Sequence, residues 1–265
     1  MTIVPVLLYH GVVAAPSARM APFTVPPEAF ARHMDLIAER GLRCLTVSGW
    51  IDERRAGIPS DGVALVTFDD GYLDFLESAL PVMLERSIPS TLYVTTGWID
   101  GGSTPPLPRP ADPMLRWDQL PELEEGGVEL GAHSHSHPQM DTLGTAAAWD
   151  ELARSKSLLE DALGHPVRSF AYPHGYNSPR LRRQVRDVGF DSAAAVVDAL
   201  SHDRDHELAI ARLTLKATTT DDEVAAWLDG SGAPVASEER LRTKGWRAYR
   251  RAKAVLRREA GTDYR

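Results

Sequence analysis

Two adjacent acidic residues at the end of a short apolar stretch are the first candidates for chemistry. Asp69 and Asp70 directly follow residues 62–68, a run typical of a buried strand, and Gly71 ends the pattern. An ionised carboxylate that leaves water needs a cation, a hydrogen-bond partner or a shifted pKa, and two neighbouring carboxylates also repel each other. The pair therefore predicts a site in which one acid binds a metal and the other transfers a proton. The competing interpretation is a turn in which an aspartate caps the next helix.

Three histidines within five residues form a second cluster. His133, His135 and His137 directly follow the strand-like residues 128–132, and the proline after them disfavours a helix. Imidazole is a common ligand of zinc and similar ions, although a solvated polar loop is the alternative. The spacing alone leaves open which two histidines bind. Two of them with Asp70 would make a three-ligand site with a position open for water, as in catalytic zinc sites, and the other aspartate would remain as a base.

Polar residues also follow two further strand-like stretches. One stretch leads into a turn that contains Tyr172, Pro173 and His174, and we expect Tyr172 and His174 to face a pocket. An aromatic-rich tight turn without a functional role is the alternative. His10 follows the apolar residues 4–9 in the same way. A lone histidine there is more often structural, but its position at a strand end favours a role in the site.

Strand-like runs alternate with amphipathic helical patterns along most of the chain. Repeated β-then-α order predicts a mostly parallel sheet with helices outside it, and about seven such units favour one barrel, complete or incomplete, over two domains. In such barrels the active site lies at the C-terminal ends of the strands, where all the clusters above would meet. Strands are expected at residues 4–9, 43–47, 62–68, 90–95, 128–132, 168–171, 190–194 and 208–215, and helices at residues 27–40, 72–86, 117–125, 145–163, 179–188 and 221–228.

The composition is that of an ordinary globular protein. The chain has 265 residues, of which 43% are hydrophobic and 25% charged, and this length allows a single large barrel domain. Cys44 is the one cysteine, so the sequence predicts neither an internal disulfide nor a cysteine-based metal cluster. The apolar start has no basic segment before it, and no stretch is long enough to span a membrane. The expected location is therefore the cytoplasm.

The net charge of −8 is unevenly distributed. Residues 238–265 contain ten Lys or Arg and four Asp or Glu, so the remaining chain is strongly acidic. An acidic body argues against general nucleic-acid binding. We expect a barrel domain over residues 1–236 and a basic helical tail over residues 237–265. The tail would either contact an anionic membrane surface or a phosphate-bearing substrate, or be a solvated helix, as basic runs commonly are.

The acidic pair and the histidine cluster together resemble the motifs of one family. They are similar to those of the polysaccharide deacetylases, also called NodB-homology proteins or carbohydrate esterase family 4. The first motif corresponds to Thr67-Phe68-Asp69-Asp70-Gly71, and the second to His133-Ser134-His135-Ser136-His137. The resemblance covers roughly residues 3–228.

This resemblance implies a fold and a set of roles. The fold would be a distorted (β/α)7 barrel. Asp69 would be the catalytic base, and Asp70, His133 and His137 would bind a divalent metal, usually zinc, which leaves His135 outside the ligand set. The substrate would be an acetylated amino-sugar glycan or its precursor.

Later motifs of the family are altered in this chain. The third motif of well-studied members has an arginine that orients the base, and here the matching turn has Ala171 instead. Together with the sequence around His10, this turn resembles a subgroup that includes exopolysaccharide N-deacetylases. There the N-terminal histidine is thought to be the general acid, so His10 is the expected acid and His206 the fallback. Arg212 is expected to support the site, and we group it with the substrate-binding residues Tyr172, Pro173 and His174.

The expected reaction is hydrolysis of an N-acetyl group by a metal-activated water. A backbone N–H, assigned to Tyr172, would stabilise the oxyanion. Tyr72, Trp98 and Trp117 could stack on sugar, but packing in the core is an equal alternative for each. Two other functions stay open, a hydrolase of another C–N amide, such as a cyclic ureide or a small N-acyl metabolite, and a glycan-binding relic without activity.

Overall fold

A curled sheet of parallel strands carries the candidate site residues. The structure is a computed structural model that describes residues 1–101 and 110–236. Seven strands follow one another in the order β10-β9-β8-β7-β6-β2-β12, and β5 pairs with the beginning of β6. The strands are β1 (Ile3–Val4), β2 (Val6–Tyr9), β3 (Gly11–Val12), β4 (Thr24–Val25), β5 (Arg43–Leu45), β6 (Val63–Asp70), β7 (Ser90–Val94), β8 (Val128–Ala132), β9 (Ser169–Ala171), β10 (Ser192–Ala194), β11 (Ser201–His202) and β12 (Leu213–Thr214).

The two ends of this sheet are joined by an irregular segment. The N–H of Ala193 in β10 donates to the carbonyl of Glu207, and the N–H of Ile210 donates to the carbonyl of Ala193. Three residues after Ile210 the chain enters β12, which pairs with β2. The sheet therefore curls into a distorted barrel whose closure lacks a regular strand. The predicted α/β class and (β/α)7 barrel are confirmed.

Helices pack around the sheet between successive strands. They are α1 (Pro27–Glu39), α2 (Val47–Arg55), α3 (Leu80–Glu85), α4 (Leu120–Glu125), α5 (Thr145–Leu163), α6 (Pro179–Val188) and α7 (Asp221–Leu228). The helix expected over residues 72–86 is divided, because a wide π-helical turn at Phe75–Ala79 precedes α3 and Pro81 cannot donate a helical hydrogen bond. The sequence reasoning missed α2, whose N-cap Thr46 accepts the N–H of Gly49.

The central strand β6 has two buried faces. Val63 and Leu65 belong to a cluster that draws residues from most strands of the sheet and from Trp50 of α2, so this cluster fills the barrel. The alternate residues of β6, such as Phe68, pack against the surrounding helices. Because side chains alternate along a strand, Asp69 shares the interior face with Leu65.

Two expectations concern regions beyond the sheet. The basic tail at residues 237–265 lies outside the described residues, so its helical structure and membrane contact stay predictions. Within the described ranges, none of the helices combines the length and the apolar composition that crossing a bilayer requires.

Candidate metal centre and active site

Three potential metal ligands meet at the C-terminal ends of β6 and β8, the two strands that flank β7 in the sheet. Asp70 ends β6, and His133 and His137 follow β8. Their ligand atoms all lie within 4.8 Å of one another, and all three residues are buried. The Oδ1 atom of Asp70 lies 3.6 Å from Nε2 of His133 and 3.3 Å from Nε2 of His137. One carboxylate and two imidazoles that converge in this way fit a divalent metal.

The two histidines are oriented for this purpose by their other contacts. Nδ1 of His133 donates to the carbonyl of Ala171 over 2.9 Å, which leaves the Nε2 lone pair directed at Asp70. The ring of His137 stacks on the fully buried Trp98, with the ring centroids 4.9 Å apart. Burial lowers the pKa of both imidazoles, so both are neutral at neutral pH, as metal binding requires.

The loop that carries the histidines is strained and is anchored on both sides. Ser134 and His137 have positive φ values of 64° and 56°, a region that costs an ordinary residue roughly 1–2 kcal/mol. Nδ1 of His135 lies 3.0 Å from Oγ1 of Thr96, away from the ligand set, as the family resemblance implies. On the other side, Glu151 of α5 accepts the backbone N–H groups of His135 and Ser136. The local motif is thus held by residues distant from it in sequence.

The second aspartate has a different environment. Asp69 is paired with Arg212 through two parallel hydrogen bonds of 2.7 and 2.8 Å, and both side chains are buried. Burial alone would raise the pKa of Asp69, but the charge of Arg212 and its hydrogen bonds to the carboxylate outweigh burial and hold the pKa below its usual value. Asp69 is therefore ionised at neutral pH. Its Oδ2 atom lies 3.7 Å from Nε2 of His133, directly beside the three ligands.

The arrangement can be compared with known proteins at this point. The family model described as polysaccharide deacetylase matches residues 56–193, more than half of the chain. The matched part includes both aspartates and the histidine loop.

The chain belongs to the polysaccharide deacetylase family.

Individual relatives agree with this membership. The Bacillus subtilis protein YxkH is 27% identical over 182 residues, which are 67% of this chain and 59% of YxkH, so the chain spans less than two thirds of that relative. The structure of IcaB from Ammonifex degensii has a TM-score of 0.69 at 26% identity and covers 86% of this chain and 97% of its own. The Streptococcus pyogenes deacetylase PplD in complex with acetate has a TM-score of 0.74 at 19% identity, over 84% and 96% of the two chains. That similarity shows a shared fold.

Arg212 lies outside the part matched by the family model, and it departs from one expectation. The sequence groups it with the substrate-binding residues, but its side chain is fully buried and its guanidinium is bound by Asp69 and by the carbonyl of Ala195. Arg212 thus contacts the candidate base and not a cleft. The candidate base is therefore paired with an arginine from the barrel closure and not with a residue of the turn after β9.

His10 lies at the same end of the barrel, directly after β2. Desolvation lowers the pKa of its imidazole to about 4, while Asp69 acts in the opposite direction and Arg212 and His133 lower it further. His10 is thus close enough to Asp69 for the two charges to interact. The fallback acid His206 is not brought to this cluster. Its Nδ1 atom accepts the N–H of Leu208, and its charged neighbours are arginines of α6 and Glu207.

In the turn after β9, two of the three expected substrate-binding residues are buried. Tyr172 is fully buried, and its hydroxyl donates to the carbonyl of Leu208, so its side chain cannot contact substrate. Its backbone N–H donates to the carbonyl of Ala194, so the expected oxyanion contact is also wrong. Pro173 is buried as well. His174 is partly exposed, and its ring lies 4.8 Å from that of His137.

The candidate sugar-stacking residues are mostly core residues. Trp98 is fully buried behind His137, Tyr72 is 2% exposed, and Trp117 packs against the main apolar cluster. Two partly exposed aromatic rings that the sequence reasoning missed lie nearer the site. Phe23 lies 5.6 Å from the ring of His10, and Tyr176 lies 6.5 Å from the ring of His174. Phe23 belongs to no motif, so only the fold connects it to the site, whereas Tyr176 ends the turn that follows β9 and was not singled out there.

Proposed function

We propose that the chain is a metal-dependent hydrolase that removes N-acetyl groups from an amino-sugar-containing glycan or glycan precursor. The observation that carries this proposal is the different surroundings of two adjacent acids. Asp70 faces two neutral imidazoles, whereas Asp69 is held ionised by Arg212 and is left outside the ligand set. A metal site with an ionised carboxylate beside it suits hydrolysis by an activated water.

The donor set supports zinc as the metal. Asp70, His133 and His137 would hold it, and three protein ligands leave a position open, as in other catalytic zinc sites. When bound, such an ion supplies a Lewis acid that polarises the acetamide carbonyl and makes a coordinated water acidic enough to lose its proton near neutral pH.

Asp69 and His10 would handle the protons. Asp69 accepts a proton from the attacking water, and the bidentate contact with Arg212 fixes the direction of its carboxylate. His10 gives a proton to the leaving amine. Because the resting imidazole is uncharged at neutral pH, it must receive that proton during turnover, and the proton taken up by Asp69 supplies it.

The substrate proposal rests on the family and on the site. Membership of the polysaccharide deacetylase family supports an acetylated amino sugar as the substrate. PplD, which shares the fold, is a deacetylase whose structure contains acetate. The subgroup resembled by the sequence around His10 and Ala171 makes an exopolysaccharide of N-acetylated amino sugars a leading candidate.

Release of acetate is the decisive measurement. The metal-loaded protein should release acetate from at least one of four substrate classes, namely chitooligosaccharides, poly-N-acetylglucosamine, peptidoglycan fragments, and nucleotide- or lipid-linked amino sugars. Asp69→Asn should lower kcat about 100- to 10,000-fold, the usual contribution of a general base, with zinc still bound. Asp187→Asn, at an exposed position of α6, serves as the matched control and should retain full activity.

Other outcomes would favour the competing functions. A wild-type protein that binds glycan but releases no acetate would be a binding relic. Hydrolysis confined to small N-acyl metabolites or cyclic ureides would instead indicate a different amide substrate for the same residues. Full activity of folded Asp69→Asn would remove Asp69 from the reaction.

A further inference from the structure

The histidine loop is held in place by one carboxylate that belongs to no motif. Oε2 of Glu151 accepts the backbone N–H of His135 over 2.9 Å and that of Ser136 over 2.8 Å. Oε1 of the same residue accepts the hydroxyl of Ser136 over 2.5 Å. Both oxygens are thus used, and all three contacts go to residues that lie between the two histidine ligands.

We infer that Glu151 is a positioning residue for the metal centre, which fixes the loop so that His133 and His137 converge on Asp70. This inference rests on the proposed metal-binding function. The three hydrogen bonds of Glu151 reach two backbone N–H groups and one hydroxyl, so it acts on the ligands through the loop that carries them.

The backbone of the loop explains why such a contact is needed. Ser134 and His137 both have positive φ values, and neither is a glycine. Non-glycine residues persist in this region only where the surroundings determine the conformation. Within the loop, the hydroxyl of Ser134 accepts the N–H of His137 over 3.0 Å. That contact fixes one end of the turn, and Glu151 fixes its middle.

The helix that carries Glu151 is suited to this role. Helix α5 is 19 residues long, and it buries Ala148, Leu152, Ser155 and Leu159 against the core. Glu151 precedes the buried Leu152, so its backbone is fixed by packing. A carboxylate on a rigid helix can bind two adjacent N–H groups at once, because one oxygen accepts both. The loop therefore takes its position from α5.

Three variants separate geometry from charge. Glu151→Ala removes the acceptors, and Glu151→Asp keeps the charge but is one methylene too short to reach both N–H groups. Glu151→Gln loses the charge, but its carbonyl can accept both N–H groups while its amide donates to the Ser136 hydroxyl. The neighbouring exposed Asp150→Asn is the control for removing one negative charge from the same turn of α5.

Zinc affinity of the purified full chain is the main readout, with urea unfolding of the metal-free protein beside it. We expect Glu151→Ala and Glu151→Asp to weaken zinc binding by about 10- to 100-fold, as for other residues that orient metal ligands. Glu151→Gln and Asp150→Asn should bind zinc close to the wild-type affinity. Hydrogen exchange of the His135 and Ser136 amides should accelerate in the Ala and Asp variants alone.

The outcomes distinguish this inference from the proposed function. Unchanged zinc affinity in Glu151→Asp, which retains the charge and is the variant to use if Glu151→Ala does not fold, would overturn the positioning role. So would a Glu151→Gln protein as weak as Glu151→Asp. A wild-type protein that binds zinc but releases no acetate would overturn the proposed activity alone, and one that binds no zinc would overturn both.

Discussion

Asp69 and Arg212 show how a single contact sets the chemistry of a residue. A buried carboxylate that lacks a partner is protonated and cannot act as a base at neutral pH. The guanidinium of Arg212 reverses this effect and also fixes the carboxylate in one plane, since a bidentate pair allows a single orientation. The same arginine lies over the ring of Tyr93, with its guanidinium carbon 5.5 Å from the ring centroid. Together with the carbonyl of Ala195, which accepts a hydrogen bond from its Nε, these partners hold Arg212 on three sides.

Replacing Arg212 by lysine should keep the charge but misorient Asp69 and raise its pKa. Lysine cannot form the two parallel hydrogen bonds that oppose the effect of burial. The pKa of Asp69 should therefore be higher in this variant. The native pKa of Asp69 is lowered, so its stabilising contribution is present above the ordinary pKa of 3.8 and is lost as the pH falls through the native value. In Arg212→Lys, loss of activity on acidification should therefore begin at a higher pH. We expect kcat at pH 7 to fall about 10- to 100-fold through misorientation.

The pH profile of kcat, recorded from pH 4 to 9, tests this prediction. Arg183→Lys, on the exposed face of α6, is the matched control and should follow the wild-type profile. If folded Arg212→Lys lost activity on acidification at the same pH as the wild type, Arg212 would not set the pKa of Asp69.

A partly buried acid, Asp74, should affect stability and not chemistry. Burial raises the pKa of Asp74 to about 6, although the N–H of Val12 donates to its carboxylate and acts in the opposite direction. The native state therefore binds this proton more tightly than the unfolded chain does. Its stabilising contribution is complete below the ordinary pKa of 3.8 and is lost as the pH rises through about 6.

Asp74→Asn should remove this pH dependence, because the amide resembles the protonated acid and can still accept the N–H of Val12. Urea unfolding should give similar free energies for the variant and the wild type at pH 4. By pH 8 the variant should be more stable by up to about 3 kcal/mol. A difference that is constant from pH 4 to 8 would exclude titration of Asp74 as its cause.

At the scale of elements, the strand ends were predictable. Arg212 was expected to support the site, but its contact with Asp69 and the role of Glu151 were not predictable. The acids of β6 and the histidines after β8 each form a local run, and parallel strands present their C-terminal ends at one edge. Arg212 lies 143 residues from Asp69 in an irregular closure, and Glu151 is one of many charged residues on α5. No pattern in the sequence reports the partner of such a residue. The same reasoning failed for Tyr172, because burial of its hydroxyl against Leu208 depends on how the barrel closes.

The turn after β9 leaves no room for a side chain at Gly175. Gly175 has a φ of 72°, and a β-carbon there would lie 2.3 Å from the backbone nitrogen of Val196. Gly164, which follows α5, has a similar φ of 77°, but a β-carbon there would have no atom of the described chain within 4 Å beyond its immediate neighbours. Gly164→Ala should therefore cost about 1–2 kcal/mol for its backbone conformation alone. Gly175→Ala should cost more in urea unfolding, since the turn must also move.

The displaced turn should also affect the metal centre. His174 precedes Gly175, and its ring contacts that of His137. Zinc affinity should fall in Gly175→Ala and remain unchanged in Gly164→Ala. If the two substitutions had equal effects on stability and zinc binding, the close approach of Gly175 to Val196 would not constrain the position of the turn.

At the scale of the whole molecule, the aromatic rings beside the site indicate the size of the substrate. The ring of Phe23 lies next to that of His10, and the ring of Tyr176 lies next to that of His174. Both rings are partly exposed. A glycan that stacks on both rings would extend past the reacting residue in two directions. On the proposed function, we therefore expect a chain of sugars to bind better than a single acetylated amino sugar.

Phe23→Ala and Tyr176→Ala should therefore raise KM for oligosaccharides by about 3- to 10-fold each, the effect of losing one aromatic contact. The kcat values should change little, because the rings would bind sugars on either side of the reacting one. With N-acetylglucosamine alone, both variants should resemble the wild type. Trp149→Ala, at a 43% exposed position of α5, controls for loss of a surface aromatic ring. If KM rose equally for the monosaccharide, the rings would shape the reaction centre itself, and the case for a polymeric substrate would be lost.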